Sequence, residues 1–89
     1  MHAVVVRVTV HDVETAQTGL QEQVVPRVQQ SRGFVAGYWT RSDGQGLSMA
    51  VFESEEHARQ AADQVKANMP PGDAVTLDDV EVREVVASA

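Results

Sequence analysis

The chain has 89 residues and is acidic, with 13 Asp and Glu against 7 Lys and Arg and a formal net charge of −6. This length accommodates one domain over residues 1–89, whose small core is marginally stable unless oligomerisation adds burial. The basic residues are scattered singly and there are no cysteines, so we expect no nucleic acid partner, no disulfide and no thiolate chemistry. The longest apolar run, residues 3–6, is far too short to span a membrane. We therefore expect a cytoplasmic protein that binds no membrane.

The first predicted element is a strand over residues 3–10, which are rich in β-branched side chains. Side chains alternate along a strand, so one of its faces is purely valine and is expected to lie under helices. Arg7 falls on the other face, where its stem would lie along a partly wet sheet surface. The valines of the first face are Val4, Val6, Val8 and Val10.

A first helix is predicted after Asp12, whose side chain suits an N-cap. Gly19 opposes the helix by about 1 kcal/mol relative to alanine. Pro26 lacks an amide donor, so we expect either a kink or a helix that restarts with Pro26 in its first turn. The apolar stripe of this helix comprises Val13, Ala16, Leu20, Val24 and Val28.

Residues 33–54 predict two strands joined by a tight turn at Asp43-Gly44, a pair that accepts positive φ angles. A two- or four-residue loop places Arg41 opposite Gly46, whereas a three-residue loop reverses the pairing parity. Alternation then gives the hairpin two apolar faces. One face holds Phe34, Ala36, Tyr38, Leu47, Met49 and Val51, and the other holds Val35, Gly37, Trp39, Ser48, Ala50 and Phe52.

A second helix is predicted from Ser54, a good N-cap, and Pro70-Pro71-Gly72 should end it. Residues 75–86 alternate and predict a last strand. The order β-α-β-β-α-β predicts an α+β, ferredoxin-like fold: a four-stranded antiparallel sheet with two helices on one face and the first and third strands central. The apolar stripe of the second helix comprises Ala58, Ala61, Ala62, Val65 and Met69.

Because both hairpin faces are apolar, each requires a cover. The helices would cover one face, where Phe34, Tyr38 and Met49 are candidates to line a pocket between sheet and helices. The other face would remain bare, and an apolar patch of this kind marks an interface. We therefore predict a homodimer whose interface contains Val35, Trp39 and Phe52, with Trp39 as the aromatic anchor.

Several of these features resemble the dimeric α/β-barrel superfamily, and within it the antibiotic biosynthesis monooxygenase-like branch. The matching residues are Pro26 followed by Gly33-Phe34, and the run Phe52-Glu53-Ser54-Glu55-Glu56 with Ala58, Ala61 and Ala62. In that superfamily two sheets pack face to face into a barrel with the helices outside. Its members include cofactor-free oxygenases, haem-degrading enzymes and small proteins without assigned activity.

The resemblance leaves three functions open. The first is a homodimer that binds a small apolar or aromatic molecule between sheet and helices. The second is a cofactor-independent monooxygenase acting on a phenolic or quinol substrate, with Tyr38, His57 and Arg7 as catalytic candidates. The third is a dimeric interaction module without a pocket.

We expect no cofactor and no metal site. Haem degradation is disfavoured because the relatives that perform it carry an Asn on the first strand, and the only Asn here is Asn68. His2 and His11 lie at opposite ends of the first strand and lack a third ligand at a recognisable spacing.

Overall fold

The computed structural model describes residues 1–68 and 74–89. Its four strands form one antiparallel sheet in the order β2-β3-β1-β4, so the first and third strands are central. The predicted α+β fold class, consistent with a ferredoxin-like arrangement, is confirmed. The predicted helix end at Pro70-Pro71-Gly72, and Met69 before it, lie outside the described residues. The elements are β1 (His2–Val10), α1 (Val13–Gly19), a π-helical segment (Leu20–Val24), α2 (Val25–Gln29), β2 (Phe34–Ser42), β3 (Gln45–Phe52), α3 (Glu55–Asn68) and β4 (Val75–Glu84).

The turn between β2 and β3 has the two-residue geometry that its sequence predicts. Asp43 and Gly44 both have positive φ angles, 50° and 78°. Ser42 pairs with Gln45, and Arg41 therefore lies opposite Gly46. This turn twists in the same sense as the strands it joins, which explains why an Asp-Gly pair sets the hairpin register.

α1, the π-helical segment and α2 form one helical run over residues 13–29. The Asp12 side chain caps its start by accepting a hydrogen bond from the Thr15 amide at 3.2 Å. Before Pro26 the backbone widens, and the Val25 amide donates to the carbonyl of Leu20, five residues back. Pro26 then lies in the first turn of α2, where a missing amide proton costs little. The predicted first-turn position of Pro26 is confirmed, but the helical run does not break there, because the widened turn carries it into α2.

The buried core lies between the sheet and α3, which packs against β1, β3 and β4. The Phe52 ring is the largest fully buried side chain among the described residues, and it meets Phe34 edge to face with centroids 6.0 Å apart. Val4 and Val6 point toward the helices, as predicted. Small alanines on α3 let the helix lie close to the sheet. The buried cluster is Val4, Phe52, Ala58 and Ala62, with Val6, Val28, Phe34, Ala50, Ala61, Val80 and Val82 packed against it.

The sides of the hairpin are the reverse of the prediction. Phe52 is 1% exposed and lies under α3, so the face on which the sequence places it is covered within the chain. Trp39 shares that side, because its ring lies over Gly37, next to Phe34. The face that carries Tyr38 is the uncovered one.

An irregularity near the start of β2 moves Phe34 away from its predicted face. Phe34 pairs with Phe52, but the next pair is Ala36 with Val51, so Val35 is an extra residue in β2. Such a bulge reverses the alternation on one side of the extra residue. Phe34 consequently points toward the core, and Val35 is half exposed at the sheet edge.

Within the described ranges, no helix combines the length and the apolar character needed to cross a membrane.

Candidate functional site

The side of the sheet opposite the helices forms a continuous surface, here called the open sheet face. Strand register determines its membership, because residues directly opposite one another on antiparallel strands point to the same side. Three rows cross the sheet from β2 to β4. They are Ala36, Val51, Ala3 and Arg83; Tyr38, Met49, Val5 and Glu81; and Thr40, Leu47, Arg7 and Asp79.

The β2–β3 half of the open sheet face is apolar and exposed. Tyr38 is 69% exposed, Leu47 45% and Met49 44%. Tyr38 and Met49 are direct cross-strand partners. Val5, next in the same row, is buried between its neighbours. Exposed side chains of this size, grouped on one side of a sheet, are typical of a surface that binds a partner or a ligand.

The β1–β4 half of the open sheet face carries two acidic and two basic side chains that compensate one another. Arg83 donates to the Glu81 carboxylate at 2.7 Å, and Arg7 lies 4.0 Å from Asp79. The hydrogen bond from Arg83, followed by its charge, lowers the pKa of Glu81. The open sheet face therefore combines an apolar half with a charge-balanced half, as protein interfaces combine an apolar centre with a polar rim.

The sequence-predicted site residues divide between the two sides of the sheet. Tyr38 and Met49 adjoin on the open sheet face, which Arg7 shares on the far side of β3. The other candidates lie elsewhere. Phe34, Trp39 and Phe52 lie on the helix side, Val35 lies at the bulge, and His57 lies in the first turn of α3.

His57 is held in place by the residues around it. The Ser54 hydroxyl accepts a hydrogen bond from the His57 amide at 3.2 Å, which confirms the predicted N-cap, and lies 2.9 Å from Nδ1 of the ring. The ring also lies against Gly33, whose φ is +74°; a Cβ there would be 2.7 Å from the ring's Cγ. Because Nδ1 is already hydrogen-bonded, Nε2 is the ring nitrogen left for other partners.

A polar cleft of about 290 Å³ lies between the end of α2 and the first turns of α3. Arg27 on α2 and Arg32 in the loop after it line one side of the cleft. His57, Gln60 and Gln64 on α3 line the other side. A second depression of about 300 Å³ follows α3 and β4 and mixes Arg59, Asp63 and Lys66 with valines. Within residues 1–68 and 74–89, no three acidic or histidine side chains are grouped as metal ligands would be.

No protein-family model matches the chain, and no curated protein matches it.

Two surface features escape sequence reasoning. Leu47 is on the same hairpin face as Tyr38, which the sequence predicts to lie under the helices. It becomes a candidate contact residue only because the structure leaves that face uncovered. Arg27 and Arg32 are five positions apart around a helix end, and this spacing indicates no motif. The fold brings them to one cleft with His57.

Proposed function

We propose that this chain forms a homodimer of the dimeric α/β-barrel type and binds a small apolar or aromatic molecule between the two sheets. In this arrangement the open sheet faces of two copies pack against each other. The observation that carries the proposal is the exposed apolar half of that face, with Tyr38, Leu47 and Met49 all in water in the single chain. The resemblance to the antibiotic biosynthesis monooxygenase-like branch supports the same mode of assembly.

The energetics favour a cover for this surface. Full burial of a Leu or Met side chain contributes about 1.5–3 kcal/mol. Leu47 and Met49 each keep nearly half of their surface in water, so covering them would contribute about 1 kcal/mol apiece in each copy. A two-fold axis lets one patch serve both partners, and the internally paired charges on β1 and β4 add no net repulsion across it.

The pocket proposed here lies between sheets because the helix side is filled. Under α3 the sheet is occupied by Phe52 packed on alanines. On the open sheet face, by contrast, Tyr38 and Met49 form an adjoining aromatic and thioether pair with a phenol hydroxyl at its edge. Aromatic rings and methionine sulfur adapt to flat apolar ligands, and the hydroxyl supplies one hydrogen bond for orientation.

Oligomeric state tests the first half of the proposal. Wild-type protein should sediment as a dimer at micromolar concentration, and Met49→Asp should yield a folded monomer, because it places a charge in the apolar contact. Val13→Asp is the matched control, since Val13 is 43% exposed but lies at the start of α1. A monomeric wild-type protein, or a dimer broken by Val13→Asp and not by Met49→Asp, would refute the proposed interface.

Ligand binding tests the second half. Titration of the dimer with 2-naphthol, followed by the fluorescence of the probe, should saturate, and Tyr38→Ala should weaken binding at least tenfold. Tyr38→Phe should weaken it less, because it removes only the hydroxyl. A dimer that shows no saturable binding would instead be an interaction module without a pocket.

One observation favours the oxygenase alternative: Tyr38 and Arg7 share the open sheet face. A phenolic substrate such as the enol form of anthrone would transfer electrons to O2, keeping one oxygen atom in the quinone product while the other leaves as water. Aerobic incubation with anthrone should then give anthraquinone at a rate lowered by Tyr38→Phe and Arg7→Gln. His57→Ala should leave that rate unchanged, because His57 lies on the other side of the sheet.

A further inference from the structure

We infer that the polar cleft between α2 and α3 is a second binding site, specific for a small oxyanion of the carboxylate or phosphate class. This site lies on the helix side and is independent of the open sheet face. Two separate parts of the chain build it: the end of α2 with the loop that follows, and one face of α3. His57, Gln60 and Gln64 are spaced by three and four residues, so their side chains project from α3 in the same direction.

The charge of the cleft is opposite to that of the chain. Net charge is −6, yet among the described residues the cleft lining contains two arginines and no carboxylate. Neither Arg27 nor Arg32 forms an ion pair within the described part of the chain. By contrast, Arg59 on α3 is paired with Glu55 at 2.6 Å. Two unpaired guanidinium groups beside one cleft form a local positive region.

The donors around the cleft match an oxyanion. A guanidinium group presents planar N–H donors that bind carboxylate or phosphate oxygens in pairs. Nε2 of His57 is available, because Ser54 occupies Nδ1. The glutamine side chains add neutral amide donors. At about 290 Å³ the cleft is large enough for a phosphate or a short dicarboxylate and small for a drug-sized molecule.

The test is an amide NMR titration of the full chain with sodium phosphate and, separately, with sodium succinate, at an ionic strength held constant with sodium chloride. Saturable shifts should occur at residues 27–32 and 57–64. Tighter binding of phosphate would indicate a phosphate ester as the ligand, and tighter binding of succinate a dicarboxylate; either result supports the site. Shifts that grow linearly without saturation for both anions would overturn it.

Matched variants separate a built site from general charge attraction. Arg27→Gln and Arg32→Gln should each weaken binding at least tenfold, whereas Arg41→Gln, at the hairpin end, should change it less than twofold. Gln60→Glu puts a carboxylate into the cleft and should weaken binding at least tenfold. Gln29→Glu changes the net charge equally outside the lining and should not. Equal losses in the cleft variants and their controls would overturn the inference.

Discussion

Alanine at two glycines should shift the stability of this protein in opposite directions. Gly33 precedes β2 with a φ of +74°, and its Cα lies against the His57 ring. Gly19 lies in the helical run with φ −62° and ψ −39°, and a Cβ there would meet no atom within 4 Å. Gly33→Ala and Gly19→Ala therefore add the same methyl group to a restricted position and to an open one.

The expected magnitudes follow from these surroundings. At Gly33 an L side chain in the left-handed region costs about 1–2 kcal/mol. The ring of His57 must also move, and losing its hydrogen bond to Ser54 costs about 1 kcal/mol. We expect Gly33→Ala to lower the free energy of unfolding by about 2–3 kcal/mol. Gly19→Ala should raise it by about 0.5–1 kcal/mol, because alanine loses less backbone entropy on entering a helix.

Urea denaturation followed by circular dichroism measures both changes against the wild-type protein. The imidazole NMR signals of His57 should shift in Gly33→Ala and stay in place in Gly19→Ala. If Gly33→Ala proves as stable as Gly19→Ala, the positive φ and the close approach of His57 do not limit this position, and the reasoning fails.

Two further predictions concern the core and the first helix cap. Phe52→Ala should lower the free energy of unfolding by about 3–5 kcal/mol, since it empties the centre of the buried cluster; a urea midpoint that gives a loss below about 1 kcal/mol would contradict this. Asp12→Ala should lower the urea midpoint at neutral pH. The Thr15 amide, followed by the Thr15 hydroxyl, lowers the pKa of Asp12 below 3.8, so the cap contributes stability above the unfolded-state pKa and loses it as pH falls through the native pKa. The difference between Asp12→Ala and wild type should therefore shrink in acid, and a constant difference would refute the assignment of the cap.

Local patterns in the sequence were sufficient to predict the elements of this fold. The Asp43-Gly44 turn, the caps at Asp12 and Ser54, and the first-turn position of Pro26 each depend on the chemistry of a few adjacent residues. Such features are decided within one or two turns of backbone, so the sequence shows them directly. The order of elements then limits the topology to very few arrangements.

Which hairpin face the helices cover could not be predicted in this way. Alternation groups residues by face, but with two apolar faces it does not indicate the covered one. That choice depends on the pairing of β1 with β3, where Val4 lies opposite Ala50, a contact between residues far apart in sequence. The bulge at Val35 adds a local reversal that no turn residue signals. Phe52 and Tyr38 consequently lie on the opposite sides of the sheet from those predicted. No sequence pattern indicates the cleft that Arg27 and Arg32 line.

The pairing of β1 with β4 has a consequence for how the chain folds during synthesis. His2 pairs with Phe52 on one side and with Glu84 on the other. A nascent chain can therefore pair β1 with β3 well before residues 75–84 leave the ribosome. Until then one edge of a valine-rich strand keeps its backbone donors and acceptors unpaired, and such edges recruit strands from other chains. That edge is covered only when β4 pairs with it.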